Sequence, residues 1–365
     1  MRRDRNGSMS MGNTIRAGAA IAPAILLAAC AGETVWPPSP WPTGSVTAAA
    51  ETVPVGTANA DAADDPAIWR NPADPAKSVL LGTDKKAGLY SYRLDGTVID
   101  FVPAGLLNNV DLVSLADGTV LVAASDRTDA ATPAIAFFTL ASDGQLTQGP
   151  RLEVGSGEAY GFCMAEADAA GQLARAYVVI KQGPVIEAVI GGTAQAPTIL
   201  STRRFAIPSQ SEGCVVDGRT DMLYVGEETV GIHRFDLSQP SPAGELVARA
   251  DGTALVPDVE GLAIAPVGRD GGYLIASSQG DNAYAAFALP TMAYAGRVRI
   301  VDGGGIDGTV ETDGIEFAAG SFGPGFPDGV FIAQDGDNGP DADGNATQNF
   351  KLVRGDALLA GLRGE

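Results

Sequence analysis

The stretch LLGTDKKAGLYSYRLDG, residues 80–96, places two short β-prone runs around one polar turn. An apolar run ends at Asp84-Lys85-Lys86, and a second, rich in Leu and Tyr, follows Gly88. That is the pattern of a hairpin whose connecting turn carries charge. It recurs loosely in LYVGEETVGIHRFDL (223–237) and YLIASSQGDNAYAAFALP (273–290). Further β-prone runs fall at 119–124, 135–140, 176–180 and 330–333, while a helical period is nearly absent before 356–362. The chain therefore reads as all-β, and so many closely spaced strands suit a propeller, barrel or sandwich. Roughly 310 residues, at about 50 per unit, make about six units of blade size. A six-bladed β-propeller over 58–365 is the expectation, with loops from every blade meeting at one mouth.

The 57 residues before that domain read differently. Arg2, Arg3, Arg5 and Arg16 precede a short apolar stretch, 17–29, which ends in Leu27-Ala28-Ala29-Cys30. This resembles a bacterial lipobox, which implies cleavage before Cys30, lipidation of its thiol and export. With Ala31 rather than Asp after the cysteine, the resemblance implies an outer-membrane anchor in a Gram-negative host and a lipid-anchored or secreted protein otherwise. Residues 1–30 are thus read as a leader. Residues 31–57, with the run WPPSPWP at 36–42, are read as a proline-stiffened tether.

The formal net charge is −20. Loss of the leader removes four arginines and one aspartate and takes it to −23. Such a surface excludes nucleic acid as a partner, because phosphate backbones require basic residues. The same charge argues against a phosphate substrate unless something positive intervenes. Beyond Cys30, only Cys163 and Cys214 remain. They are either a disulfide or two buried thiols, and an oxidising compartment permits the bridge.

DAADDPAIW, residues 61–69, packs three aspartates against an apolar run. Similar acidic or amide clusters occur at Asn108-Asn109-Val110-Asp111, Glu212, Glu227-Glu228, Asp258-Val259-Glu260, Asp313-Gly314-Ile315-Glu316 and Asp335-Gly336-Asp337-Asn338. Asp258 and Glu260, two apart, would share a face of a strand. Hard oxygen donors from several loops suit calcium, which takes six to eight oxygens in flexible geometry. One histidine and two cysteines cannot build a zinc site. DGDNGPDADGN (335–345) is either a calcium loop lacking the closing glutamate or a polar turn.

Cations are scarce and therefore informative. Lys77, Lys85, Lys86, Lys181 and Lys351 are the five lysines. Lys85 and Lys86 in their turn, with Lys181 and Arg127 near strand ends, would make a positive patch able to hold phosphate. His233, set in a strand-like run, reads as structural. No P-loop, GxSxG elbow, histidine-phosphatase motif or Cys-x5-Arg loop occurs.

Read in order, DAADDPAIW, TDKKAGLYSY, LLNNVDL, AASDRTD, EAYGFCM, SEGCVVDGRTDMLYVGEETVGI, PDVEGLAI, GGYLIASSQGDNAYA, ETDGIE, FPDGVFIAQDGDN and QNFKLV resemble the motifs of the β-propeller phytases. They span about residues 58–354. The resemblance implies a six-bladed propeller, here expected to be monomeric. It also implies calcium-dependent hydrolysis of the phosphomonoesters of myo-inositol hexakisphosphate (phytate) by a calcium-activated water.

By the same resemblance Asp64, Asp65, Glu212, Glu228, Asp258, Glu260, Gln279, Asp313 and Asp335 fall at calcium or cleavage-site positions. Lys85, Arg127, Tyr160 and Lys181 fall at phosphate-contacting ones, with Lys86, Asn108 and Asn109 beside them. Lys85, Arg127, Tyr160, Lys181, Glu212 and Glu228 are the expected catalytic set. Gln182 departs from the acidic residue common after this lysine, which leaves one peripheral calcium site in doubt. Two other readings are a calcium-dependent lactonase-type propeller and a lipid-anchored propeller that only binds partners. The first needs fewer cations, and the second has no need of carboxylates from so many loops.

Overall fold

A computed structural model describes residues 36–364. Five of its sheets have four strands and one has five. In chain order the blades run from Ala63 to Pro103, Leu107 to Glu153, Ala159 to Phe205, Ser211 to Arg249, Val259 to Ile300, and Ile315 to Arg354. The first strands of successive blades pack against one another in a closed ring, and the sixth returns to the first. The expected six-bladed propeller is thus observed. Its hairpin turns fall where the charged turns were read, as between Val79–Asp84 and Gly88–Arg93. Among the described residues the one α-helix is Gly355–Arg363.

Blades are stacked like pages, so the inner strands of each sheet are buried on both faces. This explains why strands such as Ala63–Trp69 and Val120–Asp126 are buried at every position. Between blades 2 and 3 the core is Leu121, Phe137, Phe162, Val178 and Ile186. Cys163 and Cys214, on the first strands of blades 3 and 4, form a disulfide. Closing a loop of 51 residues in sequence stabilises by about 4 kcal/mol on the chain-entropy account.

The expected tether is corrected. The compact unit begins at Trp36. Gly44–Val46 runs parallel to Ala293–Ile300 at the outer edge of blade 5, and Ala50–Glu51 pairs with the last strand of blade 6. The N-terminal segment therefore supplies the fourth strand of the sixth blade and closes the ring. Prolines stop at Pro42 and Pro54, and the residues between them are free to donate ladder hydrogen bonds. Ser39 is held by the Asp281 carboxylate (3.0 Å), and the Trp41 ring meets Tyr294 edge-on at 4.4 Å. At the seam the fully buried Lys351 ammonium reaches Glu51 (2.6 Å), Asn338 (2.7 Å), Asp335 (3.2 Å) and Asp307. The expected leader, residues 1–30 with Cys30, lies outside the described residues.

A recurrent local feature positions the site. The first strand of each of blades 1 to 5 has an irregularity next to its first paired residue: Ala63/Pro66, Leu107/Val110, Ala159/Phe162, Ser211/Cys214 and Val259/Leu262. Bulges of this kind re-aim side chains. The displaced pairs are Asp64-Asp65, Asn108-Asn109, Tyr160-Gly161, Glu212-Gly213 and Glu260-Gly261, with Asp313-Gly314 matching them just before the sixth blade. A Cβ on Gly161 would overlap the Glu212 carbonyl, one on Gly213 the Glu260 carbonyl, and one on Gly261 would lie 2.7 Å from the Asp313 carbonyl. Each glycine thus admits the next blade's mouth residue. Gly213→Ala should cost about 1–3 kcal/mol by overpacking, whereas Gly218→Ala, which meets nothing within 4 Å, should be near neutral. Thermal melts of the two variants check this, and equal melting temperatures would overturn it.

Candidate active site

The displaced residues converge on one end of the central channel. Glu212, Glu228 and Glu260 are buried, and each offers a carboxylate oxygen such that all three lie within 4.8 Å of one another. Asp64 and Asp313 lie beside them, tied together by Lys85, whose Nζ reaches Asp61 (2.7 Å), Asp313 (2.8 Å) and Asp64 (2.9 Å). Gln279 donates its amide to Asp313 Oδ1 (2.7 Å), and the Asp313 amide donates to Gln334 (2.8 Å). Asn108 donates to Glu212 Oε1 at 2.6 Å.

On the other side, the Tyr160 ring lies under two cations. Lys181 Nζ is 4.5 Å and Arg127 5.6 Å from the ring centre. Glu158 offsets Arg127 at 3.8 Å. The site is therefore bipolar: a carboxylate group faces a platform of two cations on an aromatic ring, an arrangement that favours both.

The electrostatics follow from burial. Desolvation, then the neighbouring Asp64 and Asp313, push Glu212 well above the usual carboxylate range. Desolvation followed by Glu212 and Glu228 does the same to Glu260. Glu228 and Asp313 are each raised to about 7, desolvation being the largest cause, and Asp258 is raised by it too. For Lys85, burial opposes the charge, but Asp64, Asp313 and Asp61 outweigh it and hold the ammonium far above its ordinary value. Tyr160 is raised by burial and then by Glu212. So many carboxylates in a dry site are costly without positive charge between them. The buried Asp64 Oδ2, Glu228 Oε1 and Glu260 Oε2 have no hydrogen-bond partner among the described residues. Hard oxygens, close together and unsatisfied, fit a divalent cation of the calcium type.

The structure gathers Asp64, Glu212, Glu228, Asp258, Glu260, Gln279 and Asp313, with Lys85, Arg127, Tyr160 and Lys181, as the sequence implied. It separates others. Asp65 turns the opposite way from Asp64 and accepts the Val110 amide at 3.0 Å, one blade on. It lines a small cavity of about 30 Å³ with Asp111 and Glu316. Asp335 lies at the sixth-blade seam on Lys351, not with the mouth cluster. Lys86 is exposed on its turn. Asn108 and Asn109 are buried beneath the mouth rather than open to a substrate. In the 335–345 segment Asp337 and Asp341 accept amides of their own turn. His233 is structural, bound to the buried Glu227 at 2.7 Å.

Asp61, Asp111 and Glu316 belong to the acidic clusters of the sequence but not to its ligand set; the structure makes Asp61 a partner of Lys85 and sets Asp111 and Glu316 beside Asp65. The alternating displaced pairs at 64, 108, 160, 212, 260 and 313 were the signal that could have ordered them.

The chain matches the family model described as Phytase over residues 15–364. It is also 39% identical over 322 residues to a 3-phytase of Bacillus subtilis (strain 168), covering 84% of this chain and 83% of that protein. With the propeller and the bipolar mouth in place, these matches make the chain a member of the phytase family, built as a six-bladed β-propeller.

Proposed function

We propose that this protein hydrolyses phosphomonoesters of phytate, releasing inorganic phosphate, with calcium held at the mouth. The observation that carries the reading is the juxtaposition of the Glu212–Glu228–Glu260 cluster with the Arg127–Tyr160–Lys181 platform. The 3-phytase relative supports the substrate class.

Glu212, Glu228, Glu260, Asp64, Asp258 and Asp313 would hold the ions, and calcium, when bound, would supply the positive charge that offsets the anionic substrate and polarises phosphate and water. The chain's own part is positional. Arg127 and Lys181 bind phosphate oxygens and orient the ester, with the Tyr160 ring fixing both cations from below. Lys85, already held by three carboxylates, keeps Asp64 and Asp313 together. Displacement by water without a covalent phospho-enzyme fits the nucleophile inventory. Among the described residues the cysteines are joined in a disulfide and the one histidine is engaged by Glu227.

A charge-assisted bond is worth about 1.5–3 kcal/mol, so Arg127→Ala and Lys181→Ala should each lower phytate turnover tenfold or more with melting unchanged. Near-wild-type turnover in both would remove the cation platform from the mechanism.

Glu228 and Asp313 bind protons more tightly folded than unfolded, with folded values of about 7. The metal-free protein should therefore lose stability as pH rises from about 4.3, the ordinary carboxylate value, to 7. Calcium competes with those protons and should reverse the trend. Melting in chelator should fall across that range, and re-added calcium should restore both melting and phosphate release at neutral pH. Full activity in excess chelator would eliminate calcium.

Export with a lipid anchor at Cys30 completes the proposal. The protein should fractionate with membranes in a lipoprotein-competent bacterium, and Cys30→Ser should release it. Wild-type protein wholly in the soluble fraction would refute the anchor.

A further inference from the structure

The first strand of blade 2 places two amides in the ring of displaced residues. The other blades present Asp64, Tyr160, Glu212, Glu260 and Asp313 at the mouth position, whereas blade 2 presents Asn108, followed by Asn109 where four blades have glycine. Both asparagines are buried, with Asn108 fully so. The Asn108 amide donates to Glu212 Oε1 at 2.6 Å, from blade 2 to blade 4. The same Asn108 amide group donates to Asn109 Oδ1 at 2.9 Å, so the two side chains hold one another beneath the mouth. Ser125, also in blade 2, accepts the Asn109 backbone amide (3.0 Å) and donates to the Tyr160 carbonyl of blade 3 (2.5 Å), which links Asn109 to Tyr160.

From this geometry we infer that Asn108 and Asn109 form a neutral floor that positions Glu212 and Tyr160, rather than a substrate contact. The inference rests on the calcium reading above. Both halves of the bipolar mouth stand on this floor: Glu212 belongs to the carboxylate cluster, and Tyr160 carries Arg127 and Lys181. An amide suits the place for a physical reason. It donates a hydrogen bond to a carboxylate, which favours the ionised form, without adding another negative charge to a crowded site. A bond to one carboxylate oxygen also fixes the carboxylate plane, as the outer partners of metal ligands do, and loss of such a partner lowers metal affinity about 10- to 100-fold.

The test is calcium binding measured by calorimetry on the full chain for wild type, Asn108→Leu and Asn108→Ala. Leucine keeps similar bulk without the donor, and alanine removes the donor without the possibility of a clash. Melting in chelator and the KM for phytate at saturating calcium are measured alongside. Both variants should bind calcium about 10- to 100-fold more weakly, with KM at saturating calcium within about twofold of wild type, the modest change expected where no substrate contact is lost. Unchanged calcium affinity with a raised KM would make Asn108 a substrate ligand and overturn the inference. Unchanged calcium affinity with only a lower melting temperature would make it a packing residue, which overturns it equally. A wild-type protein that binds no calcium would fail the calcium reading itself, an outcome distinct from a binding wild type and unaffected variants.

Discussion

The mouth depends on how closely six inner strands approach one another where their ladders are displaced. At that level the Gly161, Gly213, Gly261 and Gly314 Cα atoms sit against the backbone of the next blade's mouth residue, leaving no room for a Cβ. Direct hydrogen bonds run across two of these steps, from Gly261 to the Asp313 carbonyl (2.8 Å) and from Gly314 to the Asp64 carbonyl (2.9 Å). A side chain at any of these glycines would push the ring open. Because it stays closed, carboxylates separated by about 50 residues in sequence come within a few ångströms. In blades 1 and 2 Asp65 and Asn109 stand where later blades have glycine, and the Asp65 side chain bonds to the following blade.

Closeness has an electrostatic consequence. Each carboxylate is dehydrated by its neighbours and repelled by them, so Glu212 and Glu260 are driven well above the usual range. Lys85 neutralises part of the excess at the Asp64–Asp313 edge. Two of the three glutamates present unsatisfied oxygens. On the proposed reading, the cost of holding these charges is what would let an acidic protein gather divalent cations and, through them, an anionic ester.

The same ring needs a strong seam, since a propeller is only as closed as its last blade. Here the outermost strand of that blade, Ala50–Glu51, comes from the opposite end of the chain. The seam is reinforced at Lys351, whose buried ammonium serves carboxylates from both termini. Removing one partner of such a buried group is costly, because the others are left unpaired. The disulfide between Cys163 and Cys214 joins adjacent inner strands a little below the mouth, on the side away from this seam.

Much of this was legible in the chain. Hairpins with charged turns, short strands without a helical period and the ordered motifs from 61 to 353 determined the propeller, the family and the identity of nearly all mouth residues. Local pattern suffices there, because strand propensity and turn chemistry act within a few residues. Other features were decided only by tertiary structure. Asp64 and Asp65 look equivalent in sequence, but the displaced ladder sends one to the mouth and the other into the channel. Asp335 resembles a ligand until Lys351 claims it. The segment after WPPSPWP reads as a tether because its strand partners lie about 250 to 300 residues away. Which way a side chain faces, and which distant strand a segment joins, depend on neighbours that only the closed ring brings together.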